Sequence, residues 1–467
     1  MKQRGRHRRK RRGQALRATL AGTALALTAA ATLISTSQAT GGDDPGALTP
    51  LTSSAEIGKL QLHENLVSEK TLDTLTANMG GNVGVHGVLQ SANHPMRDRD
   101  QCAGTETGAL PVEPEASRAY CWDSGDATTQ KWLPQSVTTS GDADDDGRWG
   151  EDRVILAGWT HNDHKAGELP EDTGLARIAF IDANDPDDLK YRWVLLVAPL
   201  SGGADFGAVR SHLGGMVWYQ DKLIVTAKNG AEHDNALFVF DMRRILRASV
   251  DSSAIGKVSG GYSAKGYQYV LPAIGSYNLT GGACTASHDD AVPCLASVSL
   301  DRTSTPDSLI ANEWFSSGGT QPARLWRYHY STASDRTGLL GTGAGGLVDA
   351  DEAYETKAVG VQGALSHRAD GASTPDWYLG QAPGSRGTHG TLWRQNTSGA
   401  AAARCTADQS HACWGQHTES LSYWTETGEL WTLTEWAANK DNAWEPTAIP
   451  ERVLYAVPLS SVNGSLD

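Results

Sequence analysis

The sequence predicts an all-β fold: a β-propeller of about five blades with long loops, preceded by a short helical N-terminal segment. Two observations lead to this prediction. From about residue 130, short apolar or aromatic runs alternate with turns rich in Gly, Asp, Ser and Thr, which is typical of strands and hairpins. A pattern of a small residue followed by two strands also recurs along this part of the chain.

The first 39 residues have the composition of a secretory signal peptide. They hold nine Lys and Arg and no acid, then an uncharged apolar run, then Ser37 and Ala39 at the small-residue positions of a cleavage site. The apolar run is too short and too rich in Ala and Thr for a permanent membrane span, and no later segment approaches that length. We therefore expect a secreted, extracellular protein that is not membrane-integral.

The charge of the chain argues against nucleic acid as a partner. The whole sequence has 40 basic and 54 acidic residues, a net charge of −14. Without the nine basic residues of 1–39 it has 31 against 54, a net charge of −23. Such an acidic surface repels phosphate backbones, and its simplest interpretation is solubility outside the cell.

The six cysteines lie in three close pairs, and each pair flanks a loop-like stretch. Loop-closure entropy favours the nearest partners, and export provides an oxidising compartment. We therefore predict three local disulfides, which are Cys102–Cys121, Cys284–Cys294 and Cys405–Cys413. Zinc is the alternative, but there is no CxxC and the loops are acidic.

The N-terminal part of the mature chain differs from the rest. Residues 55–79 form the one convincing helical stretch, either one helix or two short ones. We predict three regions: the signal peptide 1–39, a helical or irregular segment 40–130 that contains the Cys102–Cys121 loop, and a propeller over 131–467.

The recurring pattern is clearest in "SHLGGMVWYQDKLIVT" (211–226) and "QHTESLSYWTETGELWTLTEW" (416–436). Five small residues mark five blade starts: Ser136, Gly215, Ser297, Gly363 and Ser420. Inner strands crowd around a propeller axis, so small side chains fit best there. A propeller of six blades is the alternative if residues 82–95 contribute a blade. The competing interpretation of the repeat is chance similarity among the hairpins of a β-sandwich.

The segments 133–159, 212–245 and 418–459 resemble a group of uncharacterised secreted β-propeller-like proteins from high-GC Gram-positive bacteria. The resemblance covers most of 120–467. It implies secretion and a propeller-like fold, and it implies no catalytic residues because the group has no assigned activity.

The repeat also predicts which side chains lie near the axis. Gln135, Gln362 and Glu419 directly precede the small residue of their blades, and His212 and His417 lie three residues before it. We predict that these residues surround one mouth of the central channel. Glu419 is the candidate general acid or base, with His212 and His417 as catalytic partners and Gln135 and Gln362 as ligand-binding residues. Polar side chains at blade starts can also serve only to satisfy backbone groups.

Hydrolysis of a glycosidic bond needs a second carboxylate near the first. Asp301, Asp376 and Glu435 are the candidates, and the sequence does not decide between them. The chain has fifteen tryptophans and five phenylalanines. Trp218 and Trp424 lie in the two clearest repeats and are predicted to stack on sugar rings, although tryptophans also fill gaps between blades.

Asp142, Asp144 and Asp146 resemble the start of a calcium loop, although Arg153 stands where an EF-hand has its glutamate. A structural calcium ion is the one cofactor predicted, with a solvated acidic turn as the alternative.

We expect a monomer that recognises or processes an extracellular glycan at the channel mouth. The alternative is a non-catalytic scaffold that presents a protein-binding face. The first predicts two carboxylates that converge in a deep pocket, and the second predicts a shallow mouth with separate, solvated carboxylates.

Overall fold

The computed structural model describes residues 44–162, 172–285, 291–315, 321–382, 387–437 and 449–466. They belong to the second of two compact units, Ser37–Asp467. The predicted signal peptide, 1–39, lies outside the described residues.

The N-terminal segment contains short helices and strands. They are β1 (Thr49–Pro50), α1 (Ser54–Gly58), β2 (Leu62–Leu66), α2 (Glu69–Asn78), α3 (Gly84–Leu89), β3 (His94–Pro95), β4 (Arg97–Asp98), a 3₁₀ turn (Arg99–Gln101), α4 (Gly104–Thr107), β5 (Arg118–Cys121) and α5 (Ser124–Thr128). The helical prediction over 55–79 is confirmed as two short helices, α1 and α2, with the strand β2 between them.

Five antiparallel sheets of four strands follow, and these are the predicted blades. The first three are built as follows. Blade one has β6 (Trp132–Thr139), β7 (Val154–His161), β8 (Ala176–Asp182) and β9 (Lys190–Leu200), with helix α6 (Ser140–Ala143) after β6 and the added strand β10 (Asp205–Ala208) after β9. Blade two has β11 (Met216–Tyr219), β12 (Lys222–Ala227), β13 (Ala236–Asp241) and β17 (Tyr269–Leu279), with β14 (Leu246–Arg247), β15 (Ile255–Val258) and β16 (Gly261–Ala264) between the last two. Blade three has β18 (Ser297–Asp301), β19 (Ser308–Asn312), β20 (Ala323–His329) and β22 (Glu352–Thr356), with β21 (Leu347–Val348) before β22.

The last two blades complete the circle. Blade four has β23 (Val361–His367), β24 (Asp376–Gln381), β25 (Thr391–Asn396) and β26 (Gly399–Ala402). Blade five has β27 (Ser422–Trp424), β28 (Glu429–Leu433), β29 (Val453–Pro458) and, from the other end of the chain, β5. Helix α7 (Leu459–Gly464) follows β29. The described residues therefore form a five-bladed β-propeller, as the repeat predicts.

The ring is closed by a strand from the N-terminal segment. β5 pairs antiparallel with β29, from Cys121 opposite Val453 to Arg118 opposite Ala456, and β4 pairs with the outer side of β5. Other N-terminal strands add to outer edges, β1 to β22 and β2 to β17. The sequence predicts that residues 40–130 precede the propeller, whereas in the structure strands of this segment pair with four of its blades, because β3 also pairs with β9.

The predicted small residues stand where neighbouring inner strands come closest. A Cβ on Gly215 would lie 2.1 Å from the backbone nitrogen of Val298, on the next inner strand. A Cβ on Gly363 would lie 2.8 Å from Cα of Ser420. Ser420 itself accepts a hydrogen bond through Oγ from the backbone nitrogen of Val137, at 2.9 Å. Small side chains are therefore required for the inner strands to pack around one axis.

Apolar side chains fill the five gaps between adjacent blades. Separate buried clusters join blades one and two, two and three, three and four, four and five, and five and one. Blades one and two are also linked at their outer edges, where β9 and β17 pair in parallel. Burial of both faces of every sheet explains why the strands read as near-continuous apolar runs.

Three disulfides are present, with the predicted pairing. The Cα–Cα distances are 5.7 Å for Cys102–Cys121, 5.0 Å for Cys284–Cys294 and 5.5 Å for Cys405–Cys413. They fit an oxidising compartment. Within the described part of the chain, none of the helices has the length and apolar character needed to cross a membrane.

Candidate functional site

A cavity of about 480 Å³ lies at the mouth of the channel where the inner strands begin. The connections from second to third strands return to this same end, because the strands of each blade alternate in direction. All five blades contribute lining residues, including Gln135, His212, Lys228, Asp234, Ala296, Glu313, Trp314, Gln362, Glu419 and Glu435. A site at the axis draws side chains from distant parts of the sequence.

Most of the predicted site residues meet in this cavity. Gln135, His212, Gln362 and Glu419 line it, as their positions before the blade starts predict. His417 contacts the two glutamates of the lining. His212 and His417 therefore belong to one site, although about two hundred residues of chain separate them.

The centre of the site is a cluster of His417, Glu419 and Glu435. Nδ1 of His417 lies 3.0 Å from Oε2 of Glu435 and 3.5 Å from Oε1 of Glu419. One donor atom from each of the three residues lies within 4.8 Å of the other two. Glu419 is only 2 % exposed. Of the three predicted candidates for a carboxylate near Glu419, Glu435 is therefore the one that lies beside it.

The other two candidates are engaged elsewhere. Asp301 is buried at the far end of its inner strand and forms an ion pair with Arg327 at 3.0 Å. Asp376 accepts a hydrogen bond from Nδ2 of Asn396 at 2.8 Å.

Neighbouring groups hold the cluster in place. Nε2 of Gln135 donates to Oε1 of Glu435 at 2.7 Å, and Nε1 of Trp436 donates to Oε2 of Glu435 at 2.9 Å. The ring of His417 stacks on Trp436 with centroids 4.0 Å apart. His417 has a φ of +46°, an unfavourable conformation for a residue with a side chain, which the surrounding contacts must maintain.

Burial and mutual charge move the pKa values of this cluster in different directions. Burial raises the pKa of Glu419 to about 8. Burial also acts to raise the pKa of Glu435, but His417 outweighs it and lowers that pKa to about 2. Burial lowers the pKa of His417, and the two carboxylates more than offset this and raise it to about 9. These shifts favour a protonated Glu419 beside an ionised Glu435 that is paired with His417.

A second polar group lies on the blade-two side of the cavity. The backbone nitrogen of His212 donates to Oδ1 of Asp234 at 3.2 Å, and Oγ of Ser211 donates to Oδ2 at 3.3 Å. Burial raises the pKa of Asp234. Lys228 lines the same side and supplies a positive charge.

Several lining residues were not predicted from the sequence, and Trp314 is the aromatic one with the most exposed ring. It is 40 % exposed at the cavity, next to Glu313, whose carboxylate forms a buried ion pair with Arg324 at 2.6 Å. A signal was present: "NEW" (312–314) and "TEW" (434–436) both lie at the ends of second strands, in blades three and five. Glu313 and Glu435 both line the cavity.

The predicted ligand-binding roles of Trp218 and Trp424 need correction. Trp218 is completely buried between blades one and two, where its ring packs against Trp149 with centroids 5.3 Å apart. Trp424 is 3 % exposed between blades five and one, and neither residue lines the cavity. They fill gaps between blades, because indoles offer the large apolar area that these gaps require.

The three predicted calcium ligands point to different surroundings. Asp142 is buried and accepts hydrogen bonds from Oγ1 of Thr138 at 2.6 Å and Oγ of Ser422 at 2.7 Å. Asp144 and Asp146 are exposed. The calcium site stays a prediction, and Asp142 has a structural role in linking two inner strands.

The His417–Glu419–Glu435 cluster is suited to two kinds of chemistry. A protonated acid beside a carboxylate is the arrangement of a general acid–base pair. One imidazole and two carboxylates are also a common ligand set for a divalent metal ion.

Comparisons with known proteins add little to this geometry. The chain matches no known family and no curated protein. Among solved structures it is similar to the WD40 repeats of RRP9, with 11% identity over 74% of this chain and 98% of that chain and a TM-score of 0.27. It is also similar to U3-55K, with 12% identity over 70% and 97% and a TM-score of 0.26. At these values neither similarity supports an inference about function.

The fold and the site together define the class of protein: a five-bladed propeller with a carboxylate-lined cavity at one mouth of its channel. The resemblance to secreted proteins of high-GC Gram-positive bacteria stays a prediction.

Proposed function

We propose that the protein binds an extracellular glycan in the channel-mouth cavity and processes it at the His417–Glu419–Glu435 cluster. The observation that carries this proposal is the convergence of two carboxyl groups in one cavity built by all five blades. A non-catalytic protein-binding face has no need for such a pair, since burying a carboxylate without a dedicated partner is costly.

The cavity has the size and lining of a small-ligand site. Its volume of about 480 Å³ lies within the usual range for such sites. The exposed face of Trp314 offers a surface on which the apolar face of a sugar ring can stack. Gln135, Gln362 and His212 supply donors and acceptors for hydroxyl groups.

The test combines glycan-array binding with reducing-end assays on plant, fungal and bacterial polysaccharides. We expect Glu419→Gln to lower turnover at least ~100-fold, as for other groups at a reaction centre. Trp314→Ala should weaken binding by about 3- to 10-fold. Glu426→Gln is the matched control, because this glutamate pairs with Arg153 at 2.8 Å, does not line the channel-mouth cavity and should change neither quantity.

Two results would contradict the proposal. If the wild-type protein neither binds nor turns over any glycan, the proposal of a glycan ligand is wrong and the protein-interaction scaffold is favoured. Equal turnover by wild type and Glu419→Gln would contradict the role of Glu419 at the reaction centre.

A further inference from the structure

We infer that His417, Glu419 and Glu435 bind a divalent transition-metal ion such as Zn²⁺ at the floor of the channel-mouth cavity. The role of this ion in a reaction rests on the proposed function, whereas its binding can be measured without any glycan. In this assignment Glu419 is a metal ligand and does not itself transfer a proton.

The distances between the donor atoms fit a shared ion. Two ligands each about 2.1 Å from a tetrahedral metal are separated by ~3.4 Å. His417 Nδ1 lies 3.5 Å from Glu419 Oε1 and 3.0 Å from Glu435 Oε2, which brackets that separation. The three donor atoms all lie within 4.8 Å of one another.

Buried polar atoms with few hydrogen-bond partners mark the same place. Glu419 Oε1 and Gln135 Oε1 are buried and accept no hydrogen bond from a described residue, while the amide nitrogen of Gln135 binds Glu435. His417 Nδ1 has one close partner, Oε2 of Glu435 at 3.0 Å. Buried polar atoms are rarely left unpaired, so a cation beside Glu419 would account for its unpaired oxygen.

The surrounding contacts resemble those that orient metal ligands. Gln135 and Trp436 each donate to one oxygen of Glu435, and Trp436 also stacks on the ring of His417. Such outer contacts fix the direction of ligating side chains and raise metal affinity. Glu419 and Glu435 line the cavity, so an ion held by them would lie at the cavity wall.

The ligand set also indicates which ion is bound. Ca²⁺ takes about six to eight oxygen ligands, which exceeds what two carboxylates and Gln135 provide. An imidazole nitrogen favours Zn²⁺ and similar transition metals.

A second cluster provides a matched control. His94, Asp123 and Asp126 also place three donor atoms within 4.8 Å. There, Asp126 accepts hydrogen bonds from Arg177 at 2.8 Å and from the hydroxyl of Tyr191 at 2.7 Å. The guanidinium already neutralises this carboxylate, so we expect no metal at that cluster.

The test is calorimetric titration of the full-length, chelator-treated protein with ZnCl₂, and separately with MnCl₂ and CaCl₂, in the absence of glycan. Wild type should bind one Zn²⁺ per chain, and Zn²⁺ should raise its Tm. His417→Gln should weaken binding at least tenfold, whereas His94→Gln should not change it. Glu419→Gln, which preserves side-chain volume, repeats the measurement if His417→Gln does not fold.

The inference is overturned if wild type binds neither Zn²⁺ nor Mn²⁺, or if His94→Gln removes the binding and His417→Gln does not. Binding of Ca²⁺ alone would also overturn it. A protein that binds Zn²⁺ but no glycan would keep the metal site and contradict only the proposed function. Glycan turnover by the metal-free protein would keep the proposed function and contradict only the role of the ion in the reaction.

Discussion

At the scale of single residues, burial determines what a carboxylate does in this protein. Glu419 and Asp142 are both buried, and burial raises the pKa of each, to about 8 and about 6. Glu419 lies beside His417 and Glu435 in the channel-mouth cavity, whereas Asp142 accepts hydrogen bonds from two hydroxyl groups on inner strands. The same physical effect therefore serves a candidate reaction centre in one place and packing in the other.

The pKa of Asp142 leads to a prediction about stability. A carboxyl group whose pKa is raised by folding, here from 3.8 to about 6, stabilises the fold fully below the lower value. This contribution is lost as the pH rises through about 6. Asp142→Asn removes the titration and keeps an oxygen that can accept from Thr138 and Ser422. Between pH 4 and pH 8, the free energy of unfolding of the wild type should therefore fall by up to about 3 kcal/mol relative to that of the variant.

Thermal unfolding at several pH values measures this difference. Asp146→Asn is the control, because Asp146 is exposed and should leave the pH profile of the wild type unchanged. Parallel profiles for wild type and Asp142→Asn would show that burial does not perturb Asp142.

The positions of Gln135, His212, Gln362 and Glu419 could be predicted from the sequence because each is tied to a blade start. Trp314 was not predicted, although "NEW" (312–314) resembles the "TEW" (434–436) that ends the clearest repeat. Trp218 and Trp424 were misassigned. A sequence shows that an aromatic residue lies on an inner strand, but whether its ring faces a gap or a cavity depends on the stagger between blades.

At the scale of elements, the inner strands set the geometry of the ring. Their starting residues touch the next strand's backbone, as Gly215 does at Val298. Backbone atoms cannot move aside as a flexible side chain can. Blade number and the position of the axis therefore depend on these few glycines and serines.

Gly215→Ala tests this close contact. The added Cβ would lie 2.1 Å from the nitrogen of Val298, so the two inner strands must separate. We expect a loss of about 1–3 kcal/mol in the free energy of unfolding, measured by chemical denaturation. Gly399→Ala, where nothing lies within 4 Å, should be nearly neutral. Similar stability for the two variants would contradict the crowding of inner strands.

At the scale of the whole molecule, the N-terminal segment is part of the propeller. β5 supplies the outer strand of blade five, and Trp122, directly after it, is completely buried between blades five and one. The sequence predicted five blades correctly, but it did not predict that a strand of the N-terminal segment completes the last blade. A strand of four residues has no signature that identifies a partner at the other end of the chain.

This arrangement predicts the outcome of truncation. A protein that begins at residue 131 lacks β5, so β29 has an unpaired edge and the gap between blades five and one opens to water. We expect it to lose cooperative thermal unfolding, followed by circular dichroism. A protein that begins at residue 44 keeps β5 and should unfold cooperatively. A cooperative transition in the shorter protein would show that residues 44–130 are not needed for closure.

The pairing of β5 with β29 also has a consequence during biosynthesis. β5 is synthesised before the strands of the first four blades and β29 after them, so those four blades can form before the fifth has both of its outer strands. A nascent chain interrupted before β29 would hold an open, crescent-shaped intermediate.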